Sequence, residues 1–309
     1  VKILAAGAEM PPCNNGGMAR HRPSPPVVDP ATDLAPGQSV ALLQALHILT
    51  RDGRINQDSR RKLKQVDHLV HFIEPLVRAA AACGPVNLVD HGAGKSYLGF
   101  LLYDRLYRSG TVQGRVVGVE VRAELVARSA ALAAQFGFAG MDFLPMEVAQ
   151  AENAAGLPSP VHIVTALHAC DTATDDAIAF GLRKGADHMV LVPCCQAEVA
   201  ASLRGHKALG GSRAPLAELW RRPLHTREFG SQVTNVLRCL QLEAHGYQVS
   251  VTELVGWEHS LKNELIIASR HPDVARGRAA RQLAGMLQEL GLPELSTRFF
   301  VPANSAEPG

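Results

Sequence analysis

The sequence predicts an α/β protein: a mainly parallel sheet covered by helices on both faces, with an antiparallel hairpin at one edge. Three observations predict it. Short apolar runs near 86–90, 115–121, 141–146, 161–168 and 187–193 alternate with helical patterns, as parallel strands joined by crossover helices do. The first run leads directly into Asp90, His91, Gly92, Ala93 and Gly94, a turn whose glycines let backbone approach a ligand. The last two runs, Tyr247–Val255 and Glu264–Ser269, lie too close together for a helical crossover, so they pair antiparallel.

The elements follow in chain order. Residues 1–38 hold seven prolines between Pro11 and Pro36 and little apolar periodicity, so they read as a flexible leader, with Met18 a candidate start because the chain opens on Val1. Helical spacing at Ser39–Thr50 and Asp58–Ala82 marks an N-terminal helical segment over 39–84. The second helix puts Leu63, Val66, Leu69, Val70 and Ile73 on one side and Arg60, Arg61, Lys62 and Lys64 on the other. That charged side suits a solvated face or a phosphate contact. After the glycine turn, Ser96–Tyr107 carries Leu98, Leu101, Leu102, Leu106 and Tyr107 on one face, again helical. The ligand-binding domain is expected over 85–271. The stretch Gln196–Gly246 is longer than one crossover needs and rich in Gly, Pro and Arg over 205–223, so an inserted segment or lid is expected there. Residues 273–290 read as a closing helix within a C-terminal segment over 272–309, with a loose tail from Pro302.

Composition narrows the function classes. With 309 residues, 47% hydrophobic, the chain can bury a full core, and a net charge of +2 gives no strong average field for nucleic acid. No apolar run is long enough for a membrane span and no secretory signal opens the chain, so a cytoplasmic protein with no membrane partner is expected. Six cysteines, with Cys194 and Cys195 adjacent, do not form a disulfide framework and are expected reduced.

Three ligand classes compete for the turn. A phosphate loop ending in Gly94, Lys95 and Ser96 would need its first glycine at Val89, inside the strand, and a dinucleotide fingerprint would need its third at Tyr97. S-adenosylmethionine has no phosphate; its sulfonium and ammonium charges favour a carboxylate such as Asp90, and Glu120 at the end of the second strand suits ribose hydroxyls.

Ligands of open α/β sheets bind beyond the carboxyl ends of the strands. There the fourth strand runs into His168, Cys170, Asp171 and Asp175, and the fifth into Pro193, Cys194, Cys195 and Gln196. Taken with the turn, four ordered motifs are present: Asp-His-Gly-Ala-Gly-Lys-Ser-Tyr-Leu, Gly-Val-Glu-Val-Arg, Leu-His-Ala-Cys-Asp-Thr-Ala-Thr-Asp and Pro-Cys-Cys-Gln. Over residues 60–270 the chain resembles a family of class I S-adenosylmethionine-dependent methyltransferases. It is more distantly similar to the eukaryotic tRNA 2′-O-methyltransferase that acts on the acceptor stem. The resemblance implies a Rossmann-like seven-stranded sheet, S-adenosylmethionine as cofactor and RNA as partner. It implies that Asp90, His91, Gly92 and Gly94 surround the methionine part, Glu120 the ribose, and Met146 and Glu147 the adenine, with Asp171 and His168 at the transfer site. Where many members have Gly, this chain has Ser96.

Other readings stay open beside it. His168 is equally a structural hydrogen-bonding residue, and Met146 equally core packing. Covalent attack by a strand-end cysteine and zinc held by Cys170, Cys194, Cys195 and His168 are weaker fits, and no metal is assigned. Trp257 could stack a base, and Arg204, Arg221 and Arg222 add to the basic set. At the level of whole function, a non-catalytic RNA- or protein-binding module of this fold and an NAD(P)-dependent oxidoreductase are the alternatives.

Overall fold

The computed structural model describes residues 34, 37–147, 150, 154, 156–167, 169, 171–193, 196–205, 222–254 and 264–300. Seven strands form one sheet: β1 (Leu88–His91), β2 (Val116–Glu120), β3 (Met141–Pro145), β4 (Ile163–Leu167), β5 (His188–Val192), β6 (Tyr247–Glu253) and β7 (Glu264–Arg270). Their spatial order is β3-β2-β1-β4-β5-β7-β6, with β7 antiparallel to both of its neighbours and the remaining pairs parallel. All seven expected strands are present, and the fold is the Rossmann-like sheet with a reversed seventh strand. Strand β1 sits in the middle, buried along its whole length, so its exit opens at the point where the strand order reverses.

On one face lie α1 (Val40–Ala45), α2 (Gln57–Ala81) and α3 (Tyr97–Leu102), the last widening into a π-helical turn over Tyr103–Tyr107. Helix α2 starts where the Asn56 side chain accepts the Ser59 N–H at 2.8 Å, and it buries Leu63, Val66, Leu69, Val70, Ile73 and Val77. These side chains pack with Leu88, Val116 and Ile163 of the sheet, so the N-terminal helices share the sheet's core. Helix α4 (Ala123–Gln135) follows β2 and adds Ala133 to the same cluster. On the opposite face α5 (Ala173–Lys184) packs Ala177, Ile178 and Phe180 against Val89, Val119 and Leu191.

The insertion expected over 196–246 lies partly outside the described residues. Its described part is α6 (Glu198–Gly205) and α7 (Pro223–Ala244); residues 206–221 lie outside the described residues. Helix α7 is a crossover helix that buries Val233, Leu237 and Leu242, and α6 and α8 (Arg276–Glu289) build a further apolar layer on it through Val199, Leu203, Leu283 and Leu287. The sequence masked this because α7 also buries polar residues, which breaks the apolar stripe. The leader over 1–33 and the tail from Val301 lie outside the described residues, as does Trp257.

Close approach of α6 and α7 depends on Gly230, where an added Cβ would stand 2.7 Å from Ala200 Cβ and 2.8 Å from Ala200 Cα. Gly230→Ala is therefore expected to lower unfolding free energy by about 1–3 kcal/mol in urea titrations, because backbone on the facing helix cannot rotate away. An unchanged midpoint would contradict this packing.

Candidate active site

The site is built on three consecutive strand ends. After β1 the chain turns through Gly92 (φ 65°), Gly94 (φ 59°) and Ser96 (φ 52°), three left-handed residues within five positions. The turn folds over β2: Ala93 N–H donates to Val119 C=O at 3.0 Å, and Gly118 leaves room for the Ala93 methyl, which would lie 3.3 Å from a Cβ there. Ser96, the departure from glycine, takes the left-handed conformation at the start of α3, with its hydroxyl packed over Gly99. That hydroxyl has no hydrogen-bond partner among the described residues.

Gly94 N–H donates to Glu120 Oε2 at 2.8 Å, which ties the turn to the end of β2. Glu120 Oε1 accepts from the Arg122 N–H at 3.1 Å and from Arg122 Nε at 2.8 Å. Burial acts to raise the Glu120 pKa, but the hydrogen bonds from Arg122 and Gly94 and the guanidinium charge outweigh it and hold the carboxyl below its usual range. Met146 N–H donates to Glu120 C=O at 3.2 Å, so the exit of β3 is fixed beside the same residue, with Glu147 exposed just after it.

Asp90 stands abreast of Gly118 on β2 and Thr165 on β4. Side chains alternate along a strand and partners abreast share a face, so Asp90 and Glu120, two residues beyond Gly118, lie on the same face at the carboxyl edge. Asp90 is 2% exposed and Thr165 Oγ1 donates to its Oδ1 at 2.7 Å. Burial pushes its pKa up to about 7, against the opposing pull of the Thr165 bond. His91, grouped with these residues on the basis of family resemblance, is turned the other way. Its ring lies edge-on to Phe180 at 4.5 Å between centroids, fully buried, and neither ring nitrogen has a partner among the described residues. Burial drives its pKa down to about 3.

Asp171, after β4, also has a left-handed backbone (φ 52°), and its Oδ1 accepts Ala197 N–H at 3.0 Å. It thus joins the loop after β4 to the loop after β5. His168, Cys170, Cys194 and Cys195 lie outside the described residues.

A buried polar hub that sequence reasoning missed supports this junction. Arg238 on α7 is 1% exposed and forks onto Asp175 with bonds of 2.7 and 2.8 Å. Its Nη2 also donates to Asp171 C=O at 3.1 Å, and its Nη1 to Asn235 Oδ1 at 3.1 Å. Asn235 accepts Gln196 Nε2 at 2.9 Å and donates to Glu264 Oε2 at 2.5 Å, and Ser231 donates to Gln196 Oε1 at 2.6 Å. One helix therefore clamps the exits of β4 and β5 and the start of β7. The only signal in the sequence is an arginine and an asparagine set among the apolar positions of α7.

Residues 61–202 match the family model described as a methyltransferase domain. The matched span runs from the basic face of α2 through α6, and so covers every strand exit described above. The chain is also similar to three solved methyltransferase structures. One is magnesium protoporphyrin IX methyltransferase from Synechocystis with bound S-adenosylhomocysteine (16% identity, 75% of this chain and 93% of that one, TM-score 0.40). The others are precorrin-6y C5,15-methyltransferase from Geobacter metallireducens (14%, 60% and 81%, 0.36) and an rRNA methylase from Streptococcus thermophilus (8%, 60% and 87%, 0.36). No curated protein matches the chain. No helix among the described residues is long and apolar enough to cross a membrane, and no group of three or more His, Cys, Asp or Glu among them could hold a metal.

Two measurements check the site. Arg238→Met leaves Asp175 buried without its partner and is expected to cost about 3–5 kcal/mol in denaturant unfolding. Arg238→Lys, which keeps the charge without the fork, should recover part of that loss. The His91 imidazole should make the protein acid-sensitive: stability is full above its ordinary value of 6.5 and lost as pH falls from there toward 3, with a slope approaching 1.4 kcal/mol per pH unit. Asp90 acts in the opposite sense, its contribution declining as pH rises from 3.8 to about 7. His91→Phe isolates the first effect, and the variant's stability advantage should grow on acidification from pH 6.5 to 4.

Proposed function

We propose that the protein transfers a methyl group from S-adenosylmethionine to RNA. The observation that carries the cofactor assignment is the Gly94 N–H bond to Glu120, which holds a glycine turn and a ribose-suited carboxylate together on the face that also carries Asp90. The residues fit the group chemically. Gly92 and Gly94 leave bare backbone where it must be approached, and an added Cβ at Gly92 would already press on Ala169 at 3.3 Å. Glu120 would accept from ribose hydroxyls, displacing Arg122, whose exposed side chain can move. Asp90 would face the cationic methionine end. The nicotinamide alternative lacks its third glycine, since Tyr97 takes that place as the first residue of α3.

The cofactor supplies a methyl carbon made electrophilic by its sulfonium. The protein's task is to align the nucleophile with that carbon and exclude water. Asp171 is the residue assigned to the acceptor side: its Oδ1 is committed to Ala197, and Oδ2, without a partner among the described residues, would take the proton of a hydroxyl acceptor. A ring nitrogen would need orientation alone. RNA is favoured because the exposed Arg60 and Lys64, one helical turn apart on α2, open onto a cavity of about 770 Å³ whose walls also carry His68 and His71. Asp67 is the one acid in that wall, and it accepts from the Gln38 amide at 3.3 Å.

Calorimetry with S-adenosylhomocysteine should show binding, with Glu120→Ala weakening it by about tenfold or more. For S-adenosylmethionine the affinity should rise with pH through about 7, with proton release, as the cationic ligand ionises Asp90; Asp90→Asn should abolish the release. Nucleosides of a deletion strain should lack one methylated species by mass spectrometry. Tight NADH binding without S-adenosylhomocysteine binding would overturn the cofactor assignment, and an unchanged nucleoside profile beside a methylated protein or metabolite would overturn the RNA assignment.

A further inference from the structure

A second cavity, of about 280 Å³, lies beside the glycine turn, with Lys95 and Tyr97 in its wall. The turn after α1 contributes His47, the glycine turn Lys95, the start of α3 Tyr97, and α4 contributes Arg128, Ser129 and Gln135. Lys95 follows Gly94 directly, and α4 begins immediately after Arg122, so both walls are extensions of the contact that holds Glu120.

The lining selects one kind of ligand. Its polar side chains all carry hydrogen-bond donors, and no carboxylate is among them. Several exposed arginines elsewhere are matched with acids, as in Arg61 with Asp58, Arg78 with Glu74 and Arg227 with Glu228, whereas no acid lines this cavity. Neither Lys95 nor Arg128 forms a salt bridge among the described residues; Glu124 lies one turn before Arg128 on α4. Two unmatched cations at the rim call for an anion. The rest of the wall is apolar, with Leu46, Leu125 and Leu132. A bare inorganic ion would leave that surface wet, whereas a nucleotide offers a phosphate to the cations and a base to the leucines and Tyr97.

We propose that this cavity binds a phosphate-bearing nucleotide of the RNA substrate, next to the one presented for methylation. The inference rests on the RNA reading above and adds to it a subsite with named residues. Lys95 and Arg128 take the phosphate, and the apolar wall and Tyr97 take the base, so the strand is gripped beside the turn that holds the cofactor.

Fluorescence anisotropy with bulk tRNA from a deletion strain, titrated against the full chain at several KCl concentrations, tests it. The double variant Lys95→Gln/Arg128→Gln should bind about tenfold or more weakly near physiological salt, with the slope of log K against log salt reduced by about one per cation removed. The single variant Arg128→Gln, away from the turn, should weaken RNA binding while S-adenosylhomocysteine binding stays within about twofold of wild type. The control Arg278→Gln/Arg281→Gln on α8 removes two exposed charges from another surface and should leave RNA affinity unchanged. Wild-type RNA binding with an unaffected cavity variant, or equal losses in both double variants, would overturn the subsite and leave the RNA reading standing. Failure of the wild type to bind RNA while it binds S-adenosylhomocysteine would overturn that reading and the subsite with it. Tight binding of adenosine 5′-monophosphate without RNA binding would assign the cavity to a free nucleotide instead.

Discussion

The hydrogen bond from Gly94 N–H to Glu120 organises the carboxyl edge of the sheet. It joins a turn that has no side chains at its two key positions to a buried carboxylate on the neighbouring strand. Because Ala93 also bonds to Val119, and Met146 to Glu120, the exits of β1, β2 and β3 form one rigid unit. Such a unit needs small residues: Gly118 clears the path of the turn, and left-handed backbone at Gly92, Gly94 and Ser96 lets it reverse within a few residues. The strain at Ser96 is sustained by the packing around it, as expected where the fold over-determines a local conformation.

The other half of the carboxyl edge is organised by charge. Arg238 is held by a forked pair with Asp175 and spends its remaining donors on Asp171 and Asn235. A buried ion pair adds little to stability relative to apolar packing, but once present it is costly to break and it fixes geometry in discrete directions. Here those directions set the backbone of Asp171, whose side chain in turn bonds the entry to α6. The two halves are thus stiffened by different means: backbone contact at the exits of β1, β2 and β3, and a side-chain hub at the exits of β4 and β5.

Two buried groups on β1 show how a strand can carry opposite electrostatics on its two faces. Asp90 and His91 are consecutive, both out of water, and both are pushed toward their neutral forms. Only Asp90 is on the face of Glu120, so only its charge is available to respond to a cation arriving there. His91 belongs to the apolar packing with Phe180, where a neutral ring serves as a flat filler.

The succession of strands along the chain and the glycine turn were legible in the sequence, because alternating apolar runs and missing side chains are local signals. The same holds for Asp90 and Glu120, which each end or nearly end a strand. The hub of Arg238, Asn235 and Gln196 was not legible, since a polar residue says nothing locally of partners 29 to 67 positions away. The facing of His91 followed from strand alternation, yet the motif in which it stands drew it toward the site.

The sequence by itself determined which elements form and where backbone must come bare to a ligand, because period, glycine placement and chain length act within a few residues. Only the tertiary structure decided which carboxylates share a face, which cations are left unmatched and which helix clamps the strand exits. Those depend on register between strands and on close packing of distant segments, which the order of residues along the chain does not encode locally.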